Sequence, residues 1–294
     1  MTTLTALTSS DVPETQRGGA AADRAFRLHC LDRDNTNLNL FKHRDWQGFM
    51  VTGQHSGTHW IKWMLSLALA HQYGLEPPRY MNNPSSNDFI GHPKHKRKHP
   101  DLPRVASTHS IPPNAAHWGW LRALAPLPPY AVVVRDIPDV LISNYEKWRE
   151  RYGVSFSRYV AGDPWQKAYI CDVWWYIRYL NQWGEVASRY PQDTMVMTYE
   201  SFRDDPRTAL ERIARQLRLD LSPAALDAGV AGGTKEAMAR AQDPDIQDFP
   251  VRADGAGRAA FSEEDRALML AILDRHLRHD FGYGYFDKPR GFQI

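Results

Sequence analysis

The stretch Phe49-Met-Val-Thr-Gly-Gln-His-Ser-Gly-Thr-His-Trp60 has the residue types to hold a phosphate group. Gly53 and Gly57 let the backbone come close to an anion without a side chain in the way. Ser56 and Thr58 add hydroxyl donors. A helix beginning at Thr58 would aim its free N–H groups and its dipole at the same anion. His55 stands where such loops usually carry a lysine. The spacing is not that of a Walker loop, which needs four residues between its glycines and then Lys-Ser/Thr. Here three residues separate Gly53 from Gly57 and Thr58-His59 follows. The shorter turn suits a single 5′-phosphate-type group better than a triphosphate.

A second constellation lies in Val132-Val-Val-Arg-Asp-Ile-Pro-Asp-Val-Leu-Ile-Ser-Asn-Tyr145. A buried strand would deliver Arg135 to its C-terminal edge, where open α/β sheets bind ligands. Arg135 supplies a forked donor for a phosphate, and Ser143 a hydroxyl from the helix that follows. An ion pair with Asp136 or Asp139 is the competing use of Arg135. The strand ends in this arginine and not in a carboxylate for Mg²⁺, so a Walker-B acid is missing.

The elements that must position these residues read as alternating strands and helices. Strands are expected over Phe49–Thr52, Arg104–Thr108, Tyr130–Arg135 and Thr194–Thr198. Val132-Val-Val134 and Met195-Val-Met197 are short apolar runs, as in strands of a parallel sheet buried on both faces. Helices are expected over Thr58–Tyr73, Ile137–Arg151, Pro164–Tyr190, Pro206–Leu219 and Ser262–His279. Pro138 is tolerated in a first turn, and Asp204-Asp205 before Pro206 is cap chemistry. The layout predicts a three-layer α/β sandwich with a central, mainly parallel sheet and a P-loop-like anion loop. Pro77–Pro103 and Gly232–Gly257 read as long loops, which in compact domains are often functional. The first contains the basic run His92-Pro-Lys-His-Lys-Arg-Lys-His99, a solvated loop, an attractor of anionic substrate or a lid. Its lysines and arginine repel a cation, so it is a poor metal site.

At 294 residues the chain can bury one large core, and its net charge of +2 does not advertise nucleic-acid binding. Cys30 and Cys171 cannot form a disulfide framework, which fits a reducing, cytoplasmic setting. No apolar run of about 18 residues suggests a membrane span. Residues 1–25, rich in Thr, Ser, Ala and Gly, lack the features of a secretory signal and read as a disordered tail. A single domain is expected over 26–294.

Four motifs, in order, resemble those of the cytosolic-type sulfotransferases. Thr52-Gly-Gln-His-Ser-Gly-Thr-His-Trp60 is similar to the family's 5′-phosphosulfate loop, usually Thr-Tyr-Pro-Lys-Ser-Gly-Thr-Thr-Trp. Ser107-Thr-His109 resembles Lys-Thr-His, and Arg135-Asp-Ile-Pro-Asp-Val-Leu-Ile-Ser143 resembles Arg-Asp-Pro-Arg-Asp-Val-Leu-Val-Ser. Thr198-Tyr-Glu-Ser-Phe-Arg-Asp-Asp-Pro206 is similar to Tyr-Glu-Asp-Leu-x-x-Asp-Pro. The resemblance implies a cosubstrate, 3′-phosphoadenosine 5′-phosphosulfate (PAPS), leaving 3′,5′-ADP (PAP) as product. It implies that Gln54, His55, Ser56, Gly57, Thr58 and His59 cradle the phosphosulfate, that Arg135 and Ser143 hold the 3′-phosphate, and that Trp60 and Tyr199 flank or bond the adenine. The family's Arg-Lys-Gly-x-x-Gly is matched only by Arg252 and Gly257, without the lysine or first glycine.

The implied chemistry is sulfuryl transfer, in which positioning and charge neutralisation dominate. His109 would be the base and His55 the leaving-group cation, with activity falling above neutral pH; Lys62, or a cation from the loop after Pro77, is an alternative. Protein cations suffice for a singly charged sulfonate, so no metal is expected. Trp118, Trp120, Tyr145, Trp148, Tyr152 and Trp174-Trp-Tyr176 could line a pocket for a bulky small-molecule or lipid acceptor, or simply pack helices. The basic run points instead to an anionic or carbohydrate acceptor. The animal dimerisation motif is missing, so a homodimer would use another surface. A P-loop-type nucleotide kinase or NTP hydrolase is the alternative, as is a weakly active PAPS-binding homologue lacking the usual lysine.

Overall fold

The computed structural model describes residues 19–36, 41, 43–81, 87–92, 98–246 and 261–294. Four parallel strands form the sheet: β1 Gly48–Thr52, β2 Val105–Thr108, β3 Tyr130–Val134 and β4 Thr194–Thr198, in the order β2-β1-β3-β4. The apolar runs are strands because both faces are covered, and side chains alternate between the two faces. Met50, Val105, Ala131, Val133 and Met197 pack on one side, against α2 (Thr58–Tyr73) and α8 (Pro206–Gln216). Phe49, Val51, Ala106, Val132 and Val134 pack on the other, against α6 (Val173–Arg189) and α11 (Glu263–His276). The result is the expected three-layer α/β sandwich.

Helix α2 lies directly on α9 (Pro223–Gly232): a Cβ on Gly229 would meet the Met64 carbonyl oxygen at 2.6 Å. The indoles of Trp60 and Trp63 donate to the carbonyls of Gly233 and Gly232, at 2.8 and 2.9 Å. This docking fixes the helix whose N-terminus closes the loop.

Three expectations need correction. The helix expected from Pro164 begins only at Val173. Asp163 accepts from the backbone N–H groups of Trp165, Lys167 and Ala168, and Asp172 caps α6 by accepting from Trp175 N–H at 2.9 Å. These side-chain bonds compete with the helical ladder and hold 164–172 in turns. Part of the stretch expected as a tail over 1–25 is helical: α1 runs Ala20–Thr36 with Ala22 and Phe26 in the core, while residues 1–18 lie outside the described set. The loop expected over Gly232–Gly257 contains α10, Lys235–Arg240, capped by Thr234. Other helices missed in the sequence are α3 Gly119–Leu124, α5 Phe156–Ala161, α7 Tyr199–Asp204 and α9; α4 spans Ile137–Tyr152, as expected to within one residue. Among the described residues no helix is long and apolar enough to cross a membrane, and no His/Cys/Asp/Glu group could hold a metal.

Candidate active site

The register brings the motif-bearing strand ends to one edge of the sheet, with Val51 opposite Thr108, Thr52 opposite Val133 and Val134 opposite Thr198. The chain leaves β1 toward one side and β3 toward the other, so the loops after these two strands flank the crevice where open α/β sheets take ligands. The first loop turns through two left-handed residues, His55 (φ 58°) and Gly57 (φ 79°). Gly57 is also tight: a Cβ there would meet the Tyr199 ring at 2.7 Å. Helix α2 starts at Thr58 with no side-chain cap and no acidic residue in its first turn. Its first N–H groups and dipole therefore suit an anion.

The loop is tied to its surroundings by a residue that the sequence reading placed either in an acceptor pocket or in helix packing. Tyr176, fully buried on α6, shares a 2.8 Å hydrogen bond with Ser56 Oγ, and its phenolic oxygen accepts from Arg135 N–H at 3.1 Å. Arg135 in turn donates from Nη1 to the His55 carbonyl at 2.7 Å, and its guanidinium carbon lies 4.6 Å from the Tyr199 ring centroid. The sequence alternative for Arg135 is also realised: Asp139 lies 3.7 Å from Nη2. Its Nε is buried without a hydrogen-bond partner. Tyr199 opens α7 beside Trp60, the two rings meeting edge to face at 5.9 Å. Ser143 is on α4, partly buried. Arg252 and Gly257 lie outside the described residues.

His109 follows β2 and sits beside β1. Its Nδ1 is 2.8 Å from the Thr52 carbonyl oxygen and 3.3 Å from Thr52 Oγ1, which itself bonds Thr58 Oγ1 at 2.6 Å. A carbonyl only accepts, so Nδ1 carries the proton and Nε2 keeps its lone pair. Burial lowers the His109 pKa, and the nearby Lys62 charge pushes it further down. The neutral ring is thus the resting form at neutral pH. Lys62 is itself buried on α2, donates to Asn87 Oδ1 and has its pKa drawn down to about 8 by desolvation. Desolvation, with the Lys62 and Lys147 charges, lowers His59 to about 4, so His59 is uncharged.

His55 is in contact with a residue the motif does not cover. Asn144 Nδ2 lies 3.1 Å from His55 Nε2, and Tyr152 donates to Asn144 Oδ1 at 2.7 Å. Of the other aromatics, Trp174 and Tyr176 are core, while Trp118 and Trp120 are exposed and stacked 6.0 Å apart. From the basic run, Lys98 pairs with Asp88 at 2.9 Å; residues 93–97 lie outside the described set.

The sequence signature of the family described as the sulfotransferase domain matches residues 45–242. Among solved structures, mouse sulfotransferase SULT7A1 complexed with PAP is similar at 13% identity and a TM-score of 0.53, the match covering 84% of this chain and 91% of that one. Retinol dehydratase in a complex with retinol and PAP is similar at 16% identity and a TM-score of 0.51, covering 84% and 85%. The same enzyme with androsterone and inactive cofactor PAP gives 16%, 0.53, 87% and 88%. At these identities the likeness is one of fold. No curated protein matches the chain.

Proposed function

The chain belongs to the sulfotransferase domain family, and from that premise we propose that it moves the sulfuryl group of PAPS to a hydroxyl or amine of a small-molecule, lipid or carbohydrate acceptor, leaving PAP. Family membership makes the chain a sulfuryl-transfer enzyme and favours this over the nucleotide-kinase alternative. The observation that carries the finer reading is Arg135. It joins the anion loop to Tyr199, and its buried Nε has no hydrogen-bond partner. A buried guanidinium N–H of this kind calls for an anionic acceptor. The uncapped N-terminus of α2, with Ser56 and Thr58, would hold the phosphosulfate, and Arg135 and Ser143 the 3′-phosphate. Trp60 and Tyr199 offer their rings to the adenine. Gln54, Gly57 and His59 complete the cradle, and Arg252 and Gly257 are proposed as further contacts on the resemblance alone.

The bound donor supplies the sulfuryl group and a phosphate leaving group. His109 Nε2 takes the acceptor's proton as the acceptor oxygen or nitrogen bonds to sulfur. The loop's N–H groups and His55 receive the negative charge left on the oxygen whose bond to sulfur breaks. The test is to incubate the protein with PAPS and a panel of phenols, lipid alcohols, sugars and amines, seeking a mass gain of one sulfonate. Retinol and androsterone, held by the similar structures, belong in that panel. PAP is expected to raise the melting temperature. If PAP neither binds nor stabilises the protein, the reading fails.

A further inference from the structure

The residue that replaces the usual lysine is engaged by a chain of hydrogen bonds with a defined sense. Ile170 N–H donates to the Tyr152 phenolic oxygen at 3.2 Å. Tyr152 has one proton, and it goes to Asn144 Oδ1 at 2.7 Å. Asn144 is fully buried, and with its oxygen accepting from Tyr152 its amide nitrogen must face His55 Nε2, at 3.1 Å. Turning the amide over would aim two N–H groups, Ile170's and Asn144's, at the phenolic oxygen and leave its O–H undirected. Burial pushes the Tyr152 phenol up to about 12, so it stays a donor. The amide N–H that reaches His55 Nε2 needs a lone pair there. The Arg135 guanidinium, bonded to the loop's own carbonyl, places a positive charge beside this position.

We infer that Asn144 and Tyr152 are positioning residues that hold the His55 imidazole neutral with its proton on Nδ1. The loop then carries a neutral imidazole where the lysine would carry a charge. Charge stabilisation at the loop falls to its own N–H groups and those of the α2 N-terminus. This replaces the expectation that His55 acts as an imidazolium and loses activity above neutral pH. The inference rests on the proposed sulfuryl transfer only in naming the ligand of the loop.

Nitrogen NMR of the full chain labelled in its histidine rings reads the tautomer directly, with the His55 signals assigned by their loss in His55→Gln. Near neutral pH, wild type is expected to show a neutral ring protonated on Nδ1, with or without saturating PAP. Asn144→Asp keeps the shape and the Tyr152 bond but accepts from Nε2; it is expected to convert His55 to the doubly protonated pattern. Tyr152→Phe frees the amide to turn, and is expected to give a mixture of tautomers. A wild-type ring protonated on Nε2 or on both nitrogens overturns the inference, as does an Asn144→Asp spectrum with His55 unchanged. Failure of PAP to bind while wild-type His55 shows the Nδ1 proton would sink the proposed function and leave the hydrogen-bond chain standing.

Discussion

The placing of its ring suits His109 to the proposed role of base. The Thr52 carbonyl fixes the proton on Nδ1, burial disfavours the imidazolium, and the Lys62 ammonium disfavours it further. Lys62, with a pKa drawn down to about 8, is charged throughout the acid range in which His109 takes up its proton. Lys62→Met removes that repulsion and makes His109 easier to protonate. The acidic limb of kcat/KM for sulfate transfer, which reports the free enzyme's base, is therefore expected to move to higher pH. Any loss in the plateau is a separate effect, on binding or on charge stabilisation. An unmoved limb would show that Lys62 does not act on His109 in this way. Tyr176 belongs to the same scale. Tyr176→Phe leaves the Arg135 N–H without the partner it has here, at about 1–3 kcal/mol for a group left unsatisfied, and leaves the fully buried Ser56 Oγ only its long 3.5 Å bond to the Gln54 carbonyl. A lowered denaturation midpoint together with weaker PAP binding is the expected result. A stability loss with PAP affinity intact would mean that the phenol supports the core without shaping the loop.

At the scale of elements, α1 is held by charge as much as by packing. Asp34 takes Arg178 Nε at 2.6 Å and Gln182 Nε2 at 2.9 Å, both from α6, and neither member of the ion pair is appreciably exposed. Asp34→Ala strands a buried guanidinium and is expected to cost about 3–5 kcal/mol, whereas Asp34→Leu with Arg178→Met should cost much less. Urea denaturation of the single and double variants checks this; equal losses would mean that the pair does not act as a unit. None of this was visible in the sequence, where α1 overlaps a Ser/Thr/Ala-rich start and Asp34 is one acid among many. The strands were visible, because a sheet covered on both faces leaves runs such as Val132-Val-Val134. The anion loop was visible too, because its glycines and hydroxyls lie within a few consecutive residues. Residues 164–172 defeated the periodicity because Asp163 and Asp172 bond backbone N–H groups that a helix would have used. Tyr176 and Asn144 were hidden for a related reason: their partners, Ser56 and His55, are 120 and 89 residues away.

Over the whole molecule, the buried titratable groups set how stability varies with pH. Burial lowers His43 and His59 to about 4 each, and His29, His109, His117 and His279 are lowered as well. As the pH falls below about 6.5, the unfolded chain protonates these rings while the folded chain does not. The unfolded state then binds more protons, so stability drops with falling pH, by up to about 1.4 kcal/mol per pH unit for each ring. Asp172 works the other way. Burial raises its carboxyl to about 7, so below that value the folded chain carries a proton that the unfolded chain does not take up until near 3.8. Among the described residues, one rising carboxyl against two rings near 4, with four more lowered, leaves the histidines ahead. Stability is therefore expected to fall from about pH 6.5 down to about pH 4. Two variants separate the contributions. His43, stacked 3.8 Å from Phe49, can be replaced by Phe, which should make the fall shallower. Asp172→Asn removes the opposing proton uptake and should make it steeper, whatever it does to stability at neutral pH. Denaturant titrations at a series of pH values read both slopes. A wild-type stability that rises as the pH drops from 6.5 to 5 would mean that Asp172 outweighs the buried histidines.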